Sequence, residues 1–402
     1  MSKLNRLKEV IRHAYENAPA VRKRMDDAGV TPDDIQSVAD LSKIPVITKD
    51  EMAKLQQGDP PFGGTLTVPL NSLRRIFISP GPLFEPEGTG QFEALQGEIV
   101  KSVGIGDDDI VINTFSYHLT PAGLVFDYEC AASGATVVPT GPGNTEYQVN
   151  IMMGLGVSGY AGTPSFLKII LDKAEEMGIP REVIPIKKAV MAAEPYPPSL
   201  RNLFEQDYGM ATCQTYATAD VGVIGYDWPG QTTLKTTDHL VVEITDPVTG
   251  EAVPFGETGQ VVVSNFNSIY PMLRLGTGDL SAAIGEPDEE GFNAYIKGWM
   301  GRVGDAIKVR GMFLHPLPLK KAVSQFESLG NVQAFVTRPD TRDHVRLSVE
   351  LNDDSVDQTA LADEVKSVVG ETCRLRIDEV GFVASGSIDA ADRTVVDERT
   401  WD

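Results

Sequence analysis

Between about residues 110 and 210 the chain alternates short β-rich runs with helical segments, and this alternation limits its architecture more than any other feature. The runs are "DDDIVINTFS", "GLVFDYECAASGATVVPTGPGN", "VSGYAGTP", "SFLKIILDKAEEMG", "IKKAVMAAEP" and "PSLRNLFEQDYG". In the second of them a helix of small residues gives way at Gly134 to the strand "ATVVPT". Strands separated by helices of roughly 10–15 residues argue for an α/β layer whose strands are largely parallel. With 402 residues, 42% of them hydrophobic, the chain can bury a sizeable core and form two or more domains.

The flanks read differently. The first 65 residues are predicted helical up to "SKIPVITKDEM", where Thr48 and Glu51 have the spacing of a capping box. Residues 92–105 form another candidate helix. After residue 230, "HLVVEITDPVTGEAVPFGETGQVVVSNF" holds two β-rich runs joined by turn residues and predicts a hairpin. From about residue 302 the order becomes strand ("AIKVRG"), helix, strand, strand, helix, strand ("RLRIDEVGFV"), as in a small ferredoxin-like domain. The chain shows no internal repeat and no low-complexity tract.

Charge narrows the choice of partner. Against 35 basic side chains stand 57 acidic ones, and the net charge of −22 repels nucleic acid and anionic membrane. The basic clusters at 22–24 and 74–75 read as solvated surface. Cys130, Cys213 and Cys373 lie far apart with no metal-binding spacing, a pattern suited to a reducing cytoplasm. The N-terminus places Leu4, Leu7, Val10, Ile11 and Tyr15 at helical spacing and reads as an amphipathic helix, not a signal peptide. The most apolar stretch, "AGLVFDYECAASGATVV", is interrupted by Asp127 and Glu129, which argues against a membrane span.

Three segments could carry chemistry. "YATADVG" at 216–222 sets a ring, a hydroxyl and a carboxylate close together, able to stack on a base, bind a phosphate oxygen and hold magnesium. "LRLGTGDL" at 273–280 places Asp279 where a carboxylate could accept hydrogen bonds from a ribose diol. "GRVGDAIKVRG" at 301–311 carries Arg302 and Lys308 among glycines that suit a hinge. Taken singly, the first two also read as ordinary polar turns. His239 and Cys213 read as structural.

In this order and spacing the segments resemble the adenylate-forming superfamily, and within it the phenylacetate-CoA ligase branch. The resemblance runs from "NAPAVRKRMDDAGVTPDDIQSVADLSKIPVITKDEM" through "AAEPYPPSLRNLFEQDYG" to "GRVGDAIKVRGMFLHP". It implies a large N-terminal AMP-binding domain of mixed sheets and helices over 1–300 and a small, mobile α+β domain over 301–402. It also implies activation of a carboxylic acid with ATP and magnesium, followed by transfer of the acyl group to coenzyme A. By resemblance, Ala193, Glu194 and Pro195 line the adenine and acyl pocket, Tyr216 stacks on the base and Thr218 touches the α-phosphate. Asp220 stands where the family has a magnesium-binding glutamate, and Asp279 holds the ribose with Arg302 close by. Phe115, Tyr117 and His118 are the candidate acyl contacts, for an aromatic acid.

Three departures bear on that activity. Where the family has a Gly/Ser/Thr-rich phosphate loop, this chain has "SPGPLFEP", whose Pro80 and Pro82 lack N–H groups and whose Glu85 falls near the triphosphate. Such a loop is predicted to hold ATP poorly. The family's C-terminal catalytic lysine is missing, which leaves Arg393 as the nearby cation, and Gly304 replaces a hinge aspartate. The expectation is an atypical acid:CoA ligase in the cytoplasm, with a homodimer and an acyl carrier protein acceptor both possible. The alternatives are an ATP-independent acyl or aryl transferase using CoA thioesters, or a binding protein that keeps the fold.

Overall fold

A computed structural model describes residues 2–79, 83–92, 95–303, 307–310, 312–314, 316–353, 356–373, 375–389 and 393–400. The chain divides into two compact units, Met1–Gly301 and Arg302–Asp402.

The first unit opens with helices α1 (Lys3–Asn17) and α2 (Pro19–Asp27), whose apolar faces bury Leu7, Ile11, Val21 and Met25. Strand β1 (Ile47–Thr48) leads directly into α3 (Lys49–Gly58). Both halves of the capping box form there: the Thr48 hydroxyl accepts the Glu51 N–H and the Glu51 carboxylate accepts the Thr48 N–H. A hairpin follows, β2 (Leu73–Ile78) and β3 (Phe84–Gly88). The helix expected over 92–105 is shorter, α4 (Glu98–Lys101). It begins after Gly97, whose left-handed backbone would bring an added Cβ to 2.9 Å from the Glu129 carbonyl.

The alternating region forms the parallel layer. Strands β4 (Ile110–Asn113), β5 (Thr136–Pro139), β6 (Gly159–Gly162), β7 (Lys188–Met191) and β8 (Ala211–Thr218) lie in the order β5-β4-β6-β7-β8. The intervening helices α5 (Ala122–Ala132), α6 (Thr145–Leu155) and α7 (Pro164–Glu176) pack apolar faces against it. Ile112, Tyr160, Leu167, Ile170 and Phe204 share one core cluster, and Val111, Phe115, Phe126, Cys130 and Cys213 share another. Beyond β8 the sheet turns antiparallel through β9 (Gly222–Tyr226), β10 (Leu234–Thr236), β11 (Leu240–Thr245), β12 (Thr258–Asn265), β13 (Leu275–Ile284) and β14 (Tyr295–Ile296). The hairpin expected after residue 230 is β11 with β12, in register from Leu240↔Asn265 to Thr245↔Gln260.

A buried arginine joins the N-terminal segment to this antiparallel part. Arg274, only 1% exposed, donates to the carbonyls of Ile44 (2.7 Å), Ser42 and Gly250 and pairs with Glu243. Next to it, β1 lies parallel to β13, with Ile47 opposite Leu275 and Thr48 opposite Gly276.

The second unit has its own core around Val309, Leu347, Val349 and Val365. Its sheet runs Glu379–Ala384, His344–Leu351, Leu329–Thr337, Val395–Asp397, with helices Pro316–Val323 and Gln358–Cys373. The first strand expected there, Ile307–Val309, pairs with Met312–Leu314 as a separate hairpin. The edge beside Leu329–Thr337 goes to Val395–Asp397, and Arg399 follows that strand to reach the Lys308 carbonyl and Asp343.

Candidate active site

Strand β8 and its turn into β9 carry the motif "YATAD". Thr218 pairs with Gly222, and the turn between them holds Asp220; Gly222 takes a left-handed φ of 80°. Tyr216 points toward β13, where its hydroxyl donates to the Asp279 carboxylate at 2.8 Å and lies 3.2 Å from the Thr277 hydroxyl. The other Asp279 oxygen takes the Trp299 indole N–H at 3.2 Å, and the Asp279 N–H donates to Thr277. Tyr216 and Asp279 are therefore in direct contact. Thr218 contributes a buried hydroxyl that makes no hydrogen bond among the described residues.

At the other end of the turn, Asp220 meets a residue that was not singled out from the sequence. Lys49, the first residue of α3, places its ammonium 2.5 Å from Asp220 Oδ2, with the Asp220 side chain 4% exposed. The capping box fixes the start of α3, and the pairing of β1 with β13 sets that start beside the β8–β9 turn. One face of α3 carries Lys49 and Gln56; the Gln56 amide binds both the N–H and the C=O of Phe84 and so holds β3 in place.

Strand β3 brings the acids of the altered loop inward. Glu85 and Glu87, two residues apart, lie on the same face and are both buried. Glu87 is held by Arg75 through two bonds of 2.8 and 2.9 Å. Glu85 accepts from the Ser79 hydroxyl at 3.2 Å and is hydrogen-bonded to Asp220. Pro80, Gly81, Pro82 and Gly304 lie outside the described residues. Burial and the Asp220 charge hold the Glu85 carboxyl well above the ordinary range, so it stays protonated. Burial pushes Asp220 up as well, but the Lys49 charge, its hydrogen bond and the Glu85 proton outweigh this and leave Asp220 ionised.

Asp220, expected from the sequence to hold magnesium, has its charge already met by Lys49. No group of three or more His, Cys, Asp or Glu side chains among the described residues is placed to hold a metal. As arranged, the site does not fit the ion, which would have to displace Lys49.

Glu85 and Asp220 both line a cavity of about 580 Å³. Phe77, Phe92 and Ile269 contribute apolar wall, with Phe77 and Phe92 stacked at 6.1 Å between ring centroids. His239, read as structural from the sequence, is also a lining residue, and so is Glu129. Phe115, Tyr117 and His118 are not. Phe115 stacks on Phe126 in the core at 4.7 Å, and the Tyr117 hydroxyl donates to Asp127 and accepts from Asn113. Burial and the Asp127 bond push the Tyr117 hydroxyl pKa up.

On the loop after β7, Ala193 takes a left-handed φ of 72°, and the Glu194 carboxylate accepts the Ser165 N–H at 2.6 Å. Pro195 follows Glu194 on this loop. Arg302 and Arg393 belong to the second unit; Arg302 is half-buried and Arg393 exposed, its carbonyl accepting from Gln333.

Curated relatives match the chain nearly end to end. The phenylacetate-coenzyme A ligase of Aromatoleum evansii is 29% identical over 98% of this chain and 93% of its own length. The chain is phenylacetate-CoA ligase-like. The Thermus thermophilus ligase of the same name is 28% identical over 90% of this chain and 84% of its own, and the Escherichia coli one is 27% identical over 94% and 90%. In fold, this ligase-like chain is similar to a 2-hydroxyisobutyryl-CoA ligase solved with 2-HIB-AMP and CoA, with a TM-score of 0.90 and 24% identity over 99% of this chain and 89% of that one. No family model matches the chain.

Proposed function

We propose that the protein is an acid:CoA ligase that joins a carboxylic acid to AMP and then to coenzyme A, with an aromatic acid as substrate. In the first step a carboxylate oxygen attacks the α-phosphorus of ATP and pyrophosphate leaves. In the second the coenzyme A thiolate attacks the acyl carbon and AMP leaves. The observation that carries this reading is the buried Thr218 hydroxyl, which makes no hydrogen bond among the described residues and sits on the same strand as Tyr216, itself bonded to Asp279. An α-phosphate oxygen would satisfy that hydroxyl, and a buried hydroxyl left unpaired costs about 1–3 kcal/mol.

Under this reading the Tyr216 ring and the loop 193–195 hold the adenine, and Asp279 accepts from the ribose hydroxyls with Arg302 close by. Residues 1–300 form the AMP-binding domain and 301–402 the mobile one, whose Arg393 is the candidate cation for charge developing at the α-phosphate. The nucleotide's own magnesium would be held by Asp220 only with Lys49 displaced, and no step is routed through it. The same reading carries a cytoplasmic setting, in keeping with three free, buried cysteines, a homodimer, and a carrier-protein thiol as a further possible acceptor. No helix among the described residues is long and apolar enough to cross a membrane.

A second reading rests on the Lys49–Asp220–Glu85 cluster. Its Glu85 belongs to the segment that, by resemblance, stands where the family grips phosphate, and a lysine-neutralised acid cluster there favours acyl transfer between CoA thioesters without ATP. One assay separates the two: the protein is incubated with coenzyme A and a panel of aromatic acids, with ATP, without ATP, and without ATP but with a second acyl-CoA thioester as donor, and AMP, pyrophosphate and acyl-CoA are quantified. Equimolar AMP and acyl-CoA only with ATP supports the ligase. Acyl-CoA formed from a second thioester without ATP, and no AMP release, overturns it in favour of the transferase.

A further inference from the structure

Val125 and Glu129 of helix α5, with Pro121 at its N-cap, line the 580 Å³ cavity, a spacing of four that lines up one helical face. The neighbouring stripe, Phe126 and Cys130, turns the other way into the core beside Phe115. Glu129 is thus the charged member of an apolar face, and the same residue interrupts the most apolar stretch of the sequence.

Its environment is unusual for a carboxylate. Glu129 is 2% exposed, and its Oε2 has no hydrogen-bond partner among the described residues. The other buried carboxylates lining this cavity are each engaged: Glu87 by Arg75, Asp220 by Lys49, and Glu85 by Ser79 and Asp220. Burial raises the Glu129 pKa to about 7 against the opposing hydrogen bond from the Ile99 backbone N–H, and the nearby Glu98 adds to the rise. A leucine at this position would complete the apolar face with no desolvation penalty. A buried carboxylate lining a cavity with one oxygen unpaired gains its missing hydrogen bond when a ligand brings a donor.

We propose that Glu129 selects the acyl substrate by accepting a hydrogen bond from an amino or hydroxyl group carried by an aromatic acid. This rests on the ligase reading, which places the acid in this cavity. The wall of Phe77, Phe92 and Ile269 suits the ring, and Glu129 enters from a different wall, helix α5, than the β8–β9 turn that carries Asp220. Sites built to bond a polar substrate group discriminate strongly against analogues that lack it, because the buried group is then left unpaired.

The test compares amino-, hydroxy-, methoxy- and methyl-substituted phenylacetic acids on the wild type, Glu129→Gln and Glu129→Leu. Acyl-CoA formation and calorimetric binding of each acid in the absence of ATP are measured in parallel. Either the amino or the hydroxy acid, or both, is expected to exceed the methyl and methoxy acids by about 10- to 100-fold in kcat/KM and in affinity. The two donor-bearing arms show which group is read. Glu129→Gln, which keeps an acceptor oxygen, should retain part of the preference, and Glu129→Leu should abolish or invert it. Equal treatment of all four acids by the wild type overturns the proposal, as does a Glu129→Leu protein that melts normally and still prefers the donors. Donor-dependent binding without turnover sinks the ligase reading and keeps this one; turnover indifferent to the donor does the reverse. Binding of none of the acids sinks both.

Discussion

Tyr216 and Asp220 lie four residues apart, yet each belongs to a buried carboxylate cluster of a different kind. The Asp279 carboxylate accepts from the Tyr216 hydroxyl and the Trp299 indole, two of its partners. The Asp220 carboxylate is held by the Lys49 ammonium and by the proton on Glu85. Hydroxyl and indole donors orient a carboxylate by hydrogen bonds without cancelling its charge. An ammonium cancels it, and a second cation then gains little by approaching. One chain thus has a tyrosine-bonded pole at Asp279 and a lysine-neutralised pole at Asp220.

Removing the internal cation tests this contrast most severely. Lys49→Met leaves Asp220 buried without its counter-charge and is expected to cost about 3 kcal/mol, the lower end for breaking a buried pair because Lys49 is partly exposed. Urea denaturation checks it. The double variant Lys49→Met/Asp220→Asn should recover more than half of the loss, and a single-variant cost near zero would erase the distinction between the poles. At the Asp279 pole, Tyr216→Phe removes one donor to the carboxylate and should cost about 1.5–2 kcal/mol by the same measurement.

A smaller effect comes through pH. Glu85 stays protonated in the folded protein, whereas in the unfolded chain it ionises near 4.5. The folded state therefore binds the extra proton, and this group lowers stability as pH rises above 4.5. Glu85→Gln should match the wild type near pH 4 and melt progressively higher than it toward pH 8; parallel melting curves would show that Glu85 is ionised in the fold. The smallest change is expected at Ala193, whose left-handed backbone favours glycine. Ala193→Gly should stabilise by about 0.5 kcal/mol, the strain relieved less the entropy that glycine loses on folding, read as a small rise in Tm.

Local patterns in the sequence were the ones that translated into structure. Short apolar runs between helices became β4 to β8, and Thr48 with Glu51 became a complete capping box. Tyr216, Thr218 and Asp279 could be singled out because ring, hydroxyl and carboxylate occur in short motifs. Lys49 could not, since its partner Asp220 is 171 residues away and nothing local distinguishes it from a solvated helix-start lysine. Glu129 did leave a signal, a charge inside an otherwise apolar helix, but only the packing shows that it faces a cavity. Phe115 and Tyr117 show the converse: an aromatic run reads as a pocket, while side-chain direction sends one ring into the core and ties the other to Asp127. The expected helix over 92–105 shortened because Gly97 marks a close approach to α5, which single-sequence periodicity does not report.

The buried Arg274 also has a consequence for how the chain is made. Its guanidinium satisfies the Ile44 carbonyl, 230 positions earlier. At the usual pace of synthesis, about 5–20 residues per second, the N-terminal helices emerge from the ribosome on the order of ten seconds or more before their clasp exists. Through that interval the apolar faces around Leu7, Ile11 and Met25 wait for the segment that will cover them, so these helices are made well before they are secured.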